Sequence, residues 1–194
     1  MWTRWVSQKL NFICFLLLSF LTIPPAWAEC SSEFSGLVTI NEVAIAKGKY
    51  KTDYVEIKRL ASSVPEDAYL NWSLEYCIGS GNNDCVRVDL DNALTESKTW
   101  LRLEENSLRD MSLQNMDVII RDGAEATIDY LSIGGANYIN PDCSLPYDTD
   151  LESAPGNSDR LALRLPDGTG DWTIDPGNSG EGNSPSETND GDTA

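Results

Sequence analysis

The chain has 194 residues, no histidine, and 31 acidic against 14 basic side chains, for a formal charge of −17. So acidic a surface repels phosphate backbones and anionic lipid heads, so nucleic acid is not an expected partner. Without histidine there is no Ser-His-Asp or Cys-His catalysis and no histidine-based zinc site, and neither a phosphate-binding G-x-x-x-x-G-K-[ST] loop nor a strand-linked G-x-G-x-x-G is present.

Residues 1–28 read as a secretory signal. Arg4 and Lys9 precede an apolar run, Ile13–Ile23, that is too short to span a bilayer. Pro24 and Pro25 break the run, and Ala26-Trp27-Ala28 forms an A-x-A cleavage site ahead of Glu29. Cleavage removes two cations and makes the remainder still more acidic. No membrane insertion is expected afterwards, and Glu29 is too large for the position before a lipidated cysteine. The expected location is the periplasm, surface or exterior of a bacterium.

Four cysteines follow the signal: Cys30, Cys77, Cys85 and Cys143. An even set in an exported chain predicts disulfides. Cys77 and Cys85 bracket a turn-rich loop, IGSGNND, between two strand-like runs, which predicts a bridge across a hairpin base. Cys30 and Cys143 are left for each other. A metal cluster is the alternative, but there is no C-x-x-C pair and no histidine.

Alternating, β-branched runs recur at 37–46, 53–60, 69–79, 85–90, 98–105, 115–122, 126–135, 160–166 and 171–174, divided by Gly, Asn, Asp and Pro. This spacing predicts an all-β sandwich or barrel. In 53–60, Tyr54, Glu56 and Lys58 face one way and Val55, Ile57 and Arg59 the other. Ser107–Met116 has room for a helical turn, and nothing longer repeats at 3.6 residues. Residues 177–194 contain no aromatic, no Lys and no Arg. They bury too little to offset their ordering entropy and read as a disordered acidic tail or linker. The folded domain is then 29–176, long enough for one sandwich with its own core.

An ordered set of short motifs runs through this domain: Ile40-Asn41-Glu42-Val43, Asp53-Tyr54-Val55-Glu56-Ile57, Leu70-Asn71-Trp72-Ser73-Leu74, Ser158-Asp159-Arg160-Leu161, Leu165-Pro166-Asp167-Gly168, Asp171-Trp172-Thr173 and Asp175-Pro176-Gly177-Asn178. The set resembles the lamin-tail domain, an immunoglobulin-like β-sandwich found in nuclear lamins and in many exported bacterial proteins. The likeness runs from about residue 37 to 183. It implies about seven to nine strands, a non-catalytic role, and Asn41, Glu42, Glu56, Trp72, Arg160, Trp172, Pro176 and Gly177 as structural positions. The chain departs from the family at Asn71, where a glycine is usual, and in the 77–85 loop and the 136–157 segment.

Residues 163–172, LRLPDGTGDW, admit three readings: the start of a calcium loop with Asp167 and Asp171 as ligands, a phosphate or catalytic loop, or a turn between two strands. The resemblance and the turn chemistry both favour the turn, with Trp172 as a packing residue. Pro-Asp-Gly suits turn positions, Gly168 and Gly170 permit positive φ, and Asp167 can close an Asx turn. The loop also lacks the glycine and late glutamate of a calcium loop.

Glu42 and Glu56 are expected to meet as a structural contact at a sheet edge, with a paired functional site as the alternative. Asp89-Leu90-Asp91-Asn92 reads as a solvated strand end. Asn71-Trp72-Ser73 is a glycosylation sequon in form, set within a strand. Trp72, Trp100 and Trp172 each suit a core position. The function expected is an exported, non-catalytic module that contacts a protein or a cell surface. A calcium-dependent adhesin or glycan binder and a small carboxylate-based hydrolase are the alternatives. No cofactor is expected, and calcium is the one ion in question.

Overall fold

The computed structural model describes residues 29–45, 53–78, 85–95, 99–104, 108, 111–139, 141, 143–153, 160–166 and 168–175. The signal segment, the acidic tail, Asp167, Pro176 and Gly177 lie outside these residues.

The fold is all β, two sheets packed face to face. The strands are β1 (Val38–Ile45), β2 (Tyr54–Arg59), β3 (Ser73–Ile78), β4 (Cys85–Asp89), β5 (Leu94–Thr95), β6 (Trp100–Glu104), β7 (Met116–Arg121), β8 (Thr127–Ile133), β9 (Asp150–Leu151), β10 (Arg160–Leu165) and β11 (Asp171–Asp175). One sheet has the order β11-β10-β1-β2-β6-β5 and the other β4-β3-β7-β8-β9. All pairings are antiparallel except β8–β9. Nine of these strands coincide with the nine alternating runs. β5 and β9 do not, because two residues carry no periodicity.

The core lies between the sheets. Val43, Val55, Ile57, Leu101, Leu103, Ala162 and Trp172 meet Leu74, Tyr76, Val118, Ile120, Leu131 and Ile133 there. Alternation puts these side chains on one face of each strand, and their burial is the main force joining the sheets. Among the described residues only two short 3-10 turns interrupt the strands, Ala68–Asn71 and Leu90–Asn92. No helical turn occupies the described part of 107–116; residues 111–115 are extended or bent and lead into β7.

β1 holds the central irregularity. Val38 and Ile40 point into the core, and so do Val43 and Ile45. Two even positions and two odd positions share a face because the register slips between Ile40 and Glu42, where Asn41 is the extra residue. The bulge turns Glu42 to the outer face; unbroken alternation would drive its carboxylate into the core.

Two disulfides staple the sandwich, Cys30–Cys143 and Cys77–Cys85, the pairings expected from the spacing. Cys77 and Cys85 are direct partners on β3 and β4. Cys30 forms a bridge alongside Thr127, with Ser31 N donating to Thr127 O at 2.6 Å and Thr127 N to Glu29 O at 2.8 Å. The N-terminal segment thereby reaches the start of β8. The disulfides suit an oxidising compartment. Among the described residues, no helix is long and apolar enough to cross a membrane.

Candidate functional site

Three places in the fold concentrate polar chemistry: the outer face of the six-stranded sheet, a buried clamp beneath the β1 bulge, and a cleft at one end of the sandwich.

On the outer face, Glu42 and Glu56 are direct partners on β1 and β2, both fully buried. They sit in the middle of the sheet, not at its edge, since β1 and β2 are its third and fourth strands. Like charges set directly opposite each other are unfavourable, so their donors matter. Asn41 Nδ2 donates to Glu56 Oε1 at 2.9 Å, and Tyr54 OH donates to Glu42 Oε2 at 2.8 Å. The next strand brings Arg102 opposite Glu56, where its guanidinium also lies 6.0 Å from the Tyr54 ring and 3.0 Å from Glu104 Oε1. Trp100 belongs to this face too. It is buried, but outside the inter-sheet core, under Lys58 Nζ at 4.5 Å from its ring centre. The two acids therefore meet as the sequence predicts, both fully buried in a polar layer on the outer face of the sheet.

The buried clamp joins the two sheets. Asp129 on β8 and Arg164 on β10 point inward, and Arg164 Nη2 lies 3.3 Å from Asp129 Oδ2. Below the bulge the β1–β10 ladder stops, because its register ends at Glu42 and Leu163. Ile40 then needs other partners for its backbone. Asp129 Oδ2 accepts from Ile40 N at 2.7 Å and Arg164 Nε donates to Ile40 O at 2.9 Å. The clamp thus replaces the missing ladder bonds that a buried backbone requires. Arg164 also donates from Nη1 to Gly170 O at 3.2 Å and stacks 4.5 Å from the Trp172 ring. Burial pushes both charges toward neutrality: Asp129 rises to about 6, with the Arg164 guanidinium opposing the rise, and Arg164 falls below its ordinary value.

Trp172 is a core residue, as expected, and the segment before it is a turn between β10 and β11. Gly170 N and Thr169 N donate to Pro166 O at 2.7 and 3.2 Å. Gly168 has φ +73°, and a Cβ there would lie 2.5 Å from Leu60 and 3.2 Å from Thr39 Oγ1, so the turn packs onto the outer face. Gly170 serves a different purpose from the one expected. Its φ is not positive, but a Cβ would fall 1.9 Å from the Leu165 carbonyl. Asp171 is exposed and opens β11 opposite Leu165. Arg160 opens β10 opposite Ile45.

The cleft lies where three loops converge: the N-terminal turn, the segment before β3, and the β7–β8 hairpin. It encloses about 530 Å³ and is lined by Glu33, Phe34, Asp67, Asn71, Trp72 and Asp122, among others. Phe34 and Trp72 pack tilted, 4.8 Å between ring centres. Trp72 is itself core, and Asn71 is exposed on the 3-10 turn, so the sequon asparagine precedes β3 and is not inside it. Asp122 Oδ1 accepts from Ala124 N at 2.8 Å and Ala126 N at 3.0 Å, closing an Asx turn.

On the outer face of the other sheet, Asp117 Oδ2 accepts from Tyr138 N at 2.5 Å and Ile139 N at 2.7 Å, fastening part of the 136–157 segment. Glu75, Cys77 and Cys85 lie within metal-ligand distance of one another, but their two sulfurs are the disulfide and have no thiolate to offer.

The sequence pointed to the acid pair, the cysteines and Trp172. It missed Asp129, Arg164 and the cleft. A charged residue in the middle of each of two apolar runs, ATIDYLSI and RLALRLP, was the available signal for the clamp. No family model, curated protein or solved structure matches the chain.

Proposed function

We propose that the protein is an exported, non-catalytic β-sandwich module that acts by contact with another protein or a cell surface. The observation that carries this reading is the fate of the best-placed acids. Glu42 and Glu56, for which a paired functional site was the alternative to a structural contact, are both buried in the centre of a sheet, where Glu42 accepts from Tyr54 and Glu56 from Asn41. A general acid and base must reach the bond they cleave. The two disulfides support an oxidising destination, consistent with the signal-like first 28 residues. The lamin-tail likeness enters on the same side: its N-E-V motif falls on the bulge that turns Glu42 outward, a structural duty.

The test is affinity capture. The oxidised chain, tagged and incubated with envelope and culture-fluid proteins of its own host, should retain a partner in a stoichiometric, saturable complex, and should release no reducing ends from cell-wall glycans. Glycan turnover that disappears in Glu56→Gln would overturn the proposal in favour of a hydrolase.

A further inference from the structure

We propose that the outer face of the five-stranded sheet holds a small monovalent cation of the sodium class between Asp117 and Ser132. The two residues are direct partners on β7 and β8. Val118, Ile120, Leu131 and Ile133 take the core side of these strands, so alternation sends Asp117, Ser132 and Tyr130 together to the opposite face. Direct cross-strand partners hold their Cβ atoms about 5 Å apart, a separation that one ion can bridge with an oxygen from each. Both residues keep a buried oxygen without a hydrogen-bond partner. Asp117 is fully buried; its Oδ2 accepts from Tyr138 N and Ile139 N, and its Oδ1 has no donor. Ser132 is 1% exposed, and its Oγ has no partner either. Native interiors leave few such atoms. Among the described residues, no Lys or Arg pairs with Asp117. A carboxylate removed from water needs a counter-charge as well as a donor, and a cation supplies what a neutral donor does not.

The donor set fixes the class of ion. Its atoms are hard oxygens, which suit an alkali or alkaline-earth ion over a transition metal. Burial, against Ser132 and with Asp117 and Asp150, pushes the Tyr130 phenol above its ordinary value, so it remains a neutral oxygen beside the pair. Calcium calls on about six to eight oxygens, with several carboxylates among them. Here a single carboxylate is fully buried and its neighbours are neutral hydroxyls, so one positive charge balances the site. Asp150, exposed and the partner of Ser132 on β9, adds negative potential at the rim and raises the local cation concentration. The ion would also secure the chain after β8, because the carboxylate it neutralises is the one that fastens Tyr138 and Ile139 to the sheet.

The test is thermal melting of the full oxidised chain in sodium chloride against choline chloride at constant ionic strength. The wild type should melt higher in sodium, by about 3–5 °C at the top of a saturable titration, the shift produced when ligation raises the folding constant about tenfold. Ser132→Ala removes an oxygen that makes no hydrogen bond, so it should fold and lose the sodium shift. Asp117→Asn keeps an acceptor for Tyr138 N and Ile139 N and should lose the shift too. Asp171→Asn, exposed on the other sheet, should keep the shift of the wild type. Millimolar calcium at fixed sodium should add nothing. A wild type indifferent to sodium overturns the inference. So does a shift that survives undiminished in Ser132→Ala, which would be a general salt effect, and so does a shift that calcium reproduces without sodium, which would make the ion divalent. If Asp117→Asn does not fold, Ser132→Ala alone decides.

Discussion

The two buried charge clusters of the sandwich sit back to back across β1 and follow opposite rules. Beneath the bulge, Asp129 and Arg164 are opposite charges in the core, 3.3 Å apart, tied to both backbone groups of Ile40. Above it, Glu42 and Glu56 are two acids side by side, with donors from Tyr54 and Asn41 and with Arg102 opposite Glu56 on the next strand. The first cluster connects sheets; the second lies within one. An inter-sheet pair deep in the core loses everything when one partner goes, because the survivor has neither water nor counter-charge. An outer-face pair shares its strain among several neighbours. The same one-residue slip creates both, by turning Glu42 outward and leaving Ile40 without a ladder partner.

The sharpest way to break this contrast is to delete half the clamp. Arg164→Ala should destabilise by ~3–5 kcal/mol, the cost of an uncompensated buried charge. Trp172→Ala should cost a similar ~3–5 kcal/mol, since it empties an aromatic site under the same guanidinium. Replacing Asp129 and Arg164 together by leucine should cost far less than the sum of the two single replacements. Urea unfolding of Arg164→Ala, Trp172→Ala, the double leucine variant and its two single leucine counterparts reads all three expectations. Additive losses would mean that the pair does not act as one unit.

The clamp shows what the sequence carried and what it could not. Strand positions were legible because a half-buried strand must alternate, and nine runs do. Face assignment within a strand was not. In RLALRLP the leucines suggest the buried face, yet Ala162 and Arg164 point into the main core while Leu161 and Leu163 pack outside with Ala44 and Tyr54. That inversion depends on Asp129, 35 residues away along the chain. The bulge was likewise hidden, because Ile-Asn-Glu-Val reads as ordinary alternation until register with β2 and β10 is known. Trp100 is buried, as expected, but which layer it joins was hidden for the same reason. The Cys77–Cys85 pairing, in contrast, followed from local spacing alone.

Titration sharpens the comparison from the clamp's side. Burial raises Asp129 to about 6 from 3.8. Between these values the folded chain holds a proton that the unfolded chain has released, so stability should fall as pH rises through that window and level off above about 6. Thermal melts of wild type and Asp129→Asn at intervals from pH 4 to 7 check this, and the variant cancels the background from other carboxylates. The gap between the two proteins should change with pH only in that window. A gap that is constant from pH 4 to 7 would show that Asp129 stays ionised throughout.

The outer cluster should respond more weakly. Glu56→Gln keeps the acceptor for Asn41 Nδ2 and removes the charge opposite Glu42, so we expect a change within about 1 kcal/mol of wild type, of either sign. Unfolding midpoints in urea measure it. A loss as large as that from Arg164→Ala would place the acid pair in the same class as the clamp and erase the contrast.

The smallest effect is expected at the β10–β11 turn, the calcium candidate of the sequence, which touches the clamp on one side and the outer face of the sheet on the other. Arg164 holds Gly170 O from inside, and Gly168 lies on Thr39 and Leu60 from outside. Pro166 O already accepts both Thr169 N and Gly170 N. A turn fixed from two sides by protein contacts has no need of an ion to order it. Asp171 is exposed at the head of β11, engaged through its backbone with Leu165. Calcium and chelator should therefore leave the melting temperature of the wild type unchanged, and Asp171→Asn should shift it by no more than the ~0.5 kcal/mol usual for surface substitutions. A melting temperature that climbs with calcium, and no longer does so in Asp171→Asn, would make this turn a metal site and promote the calcium-dependent adhesin over the module proposed above.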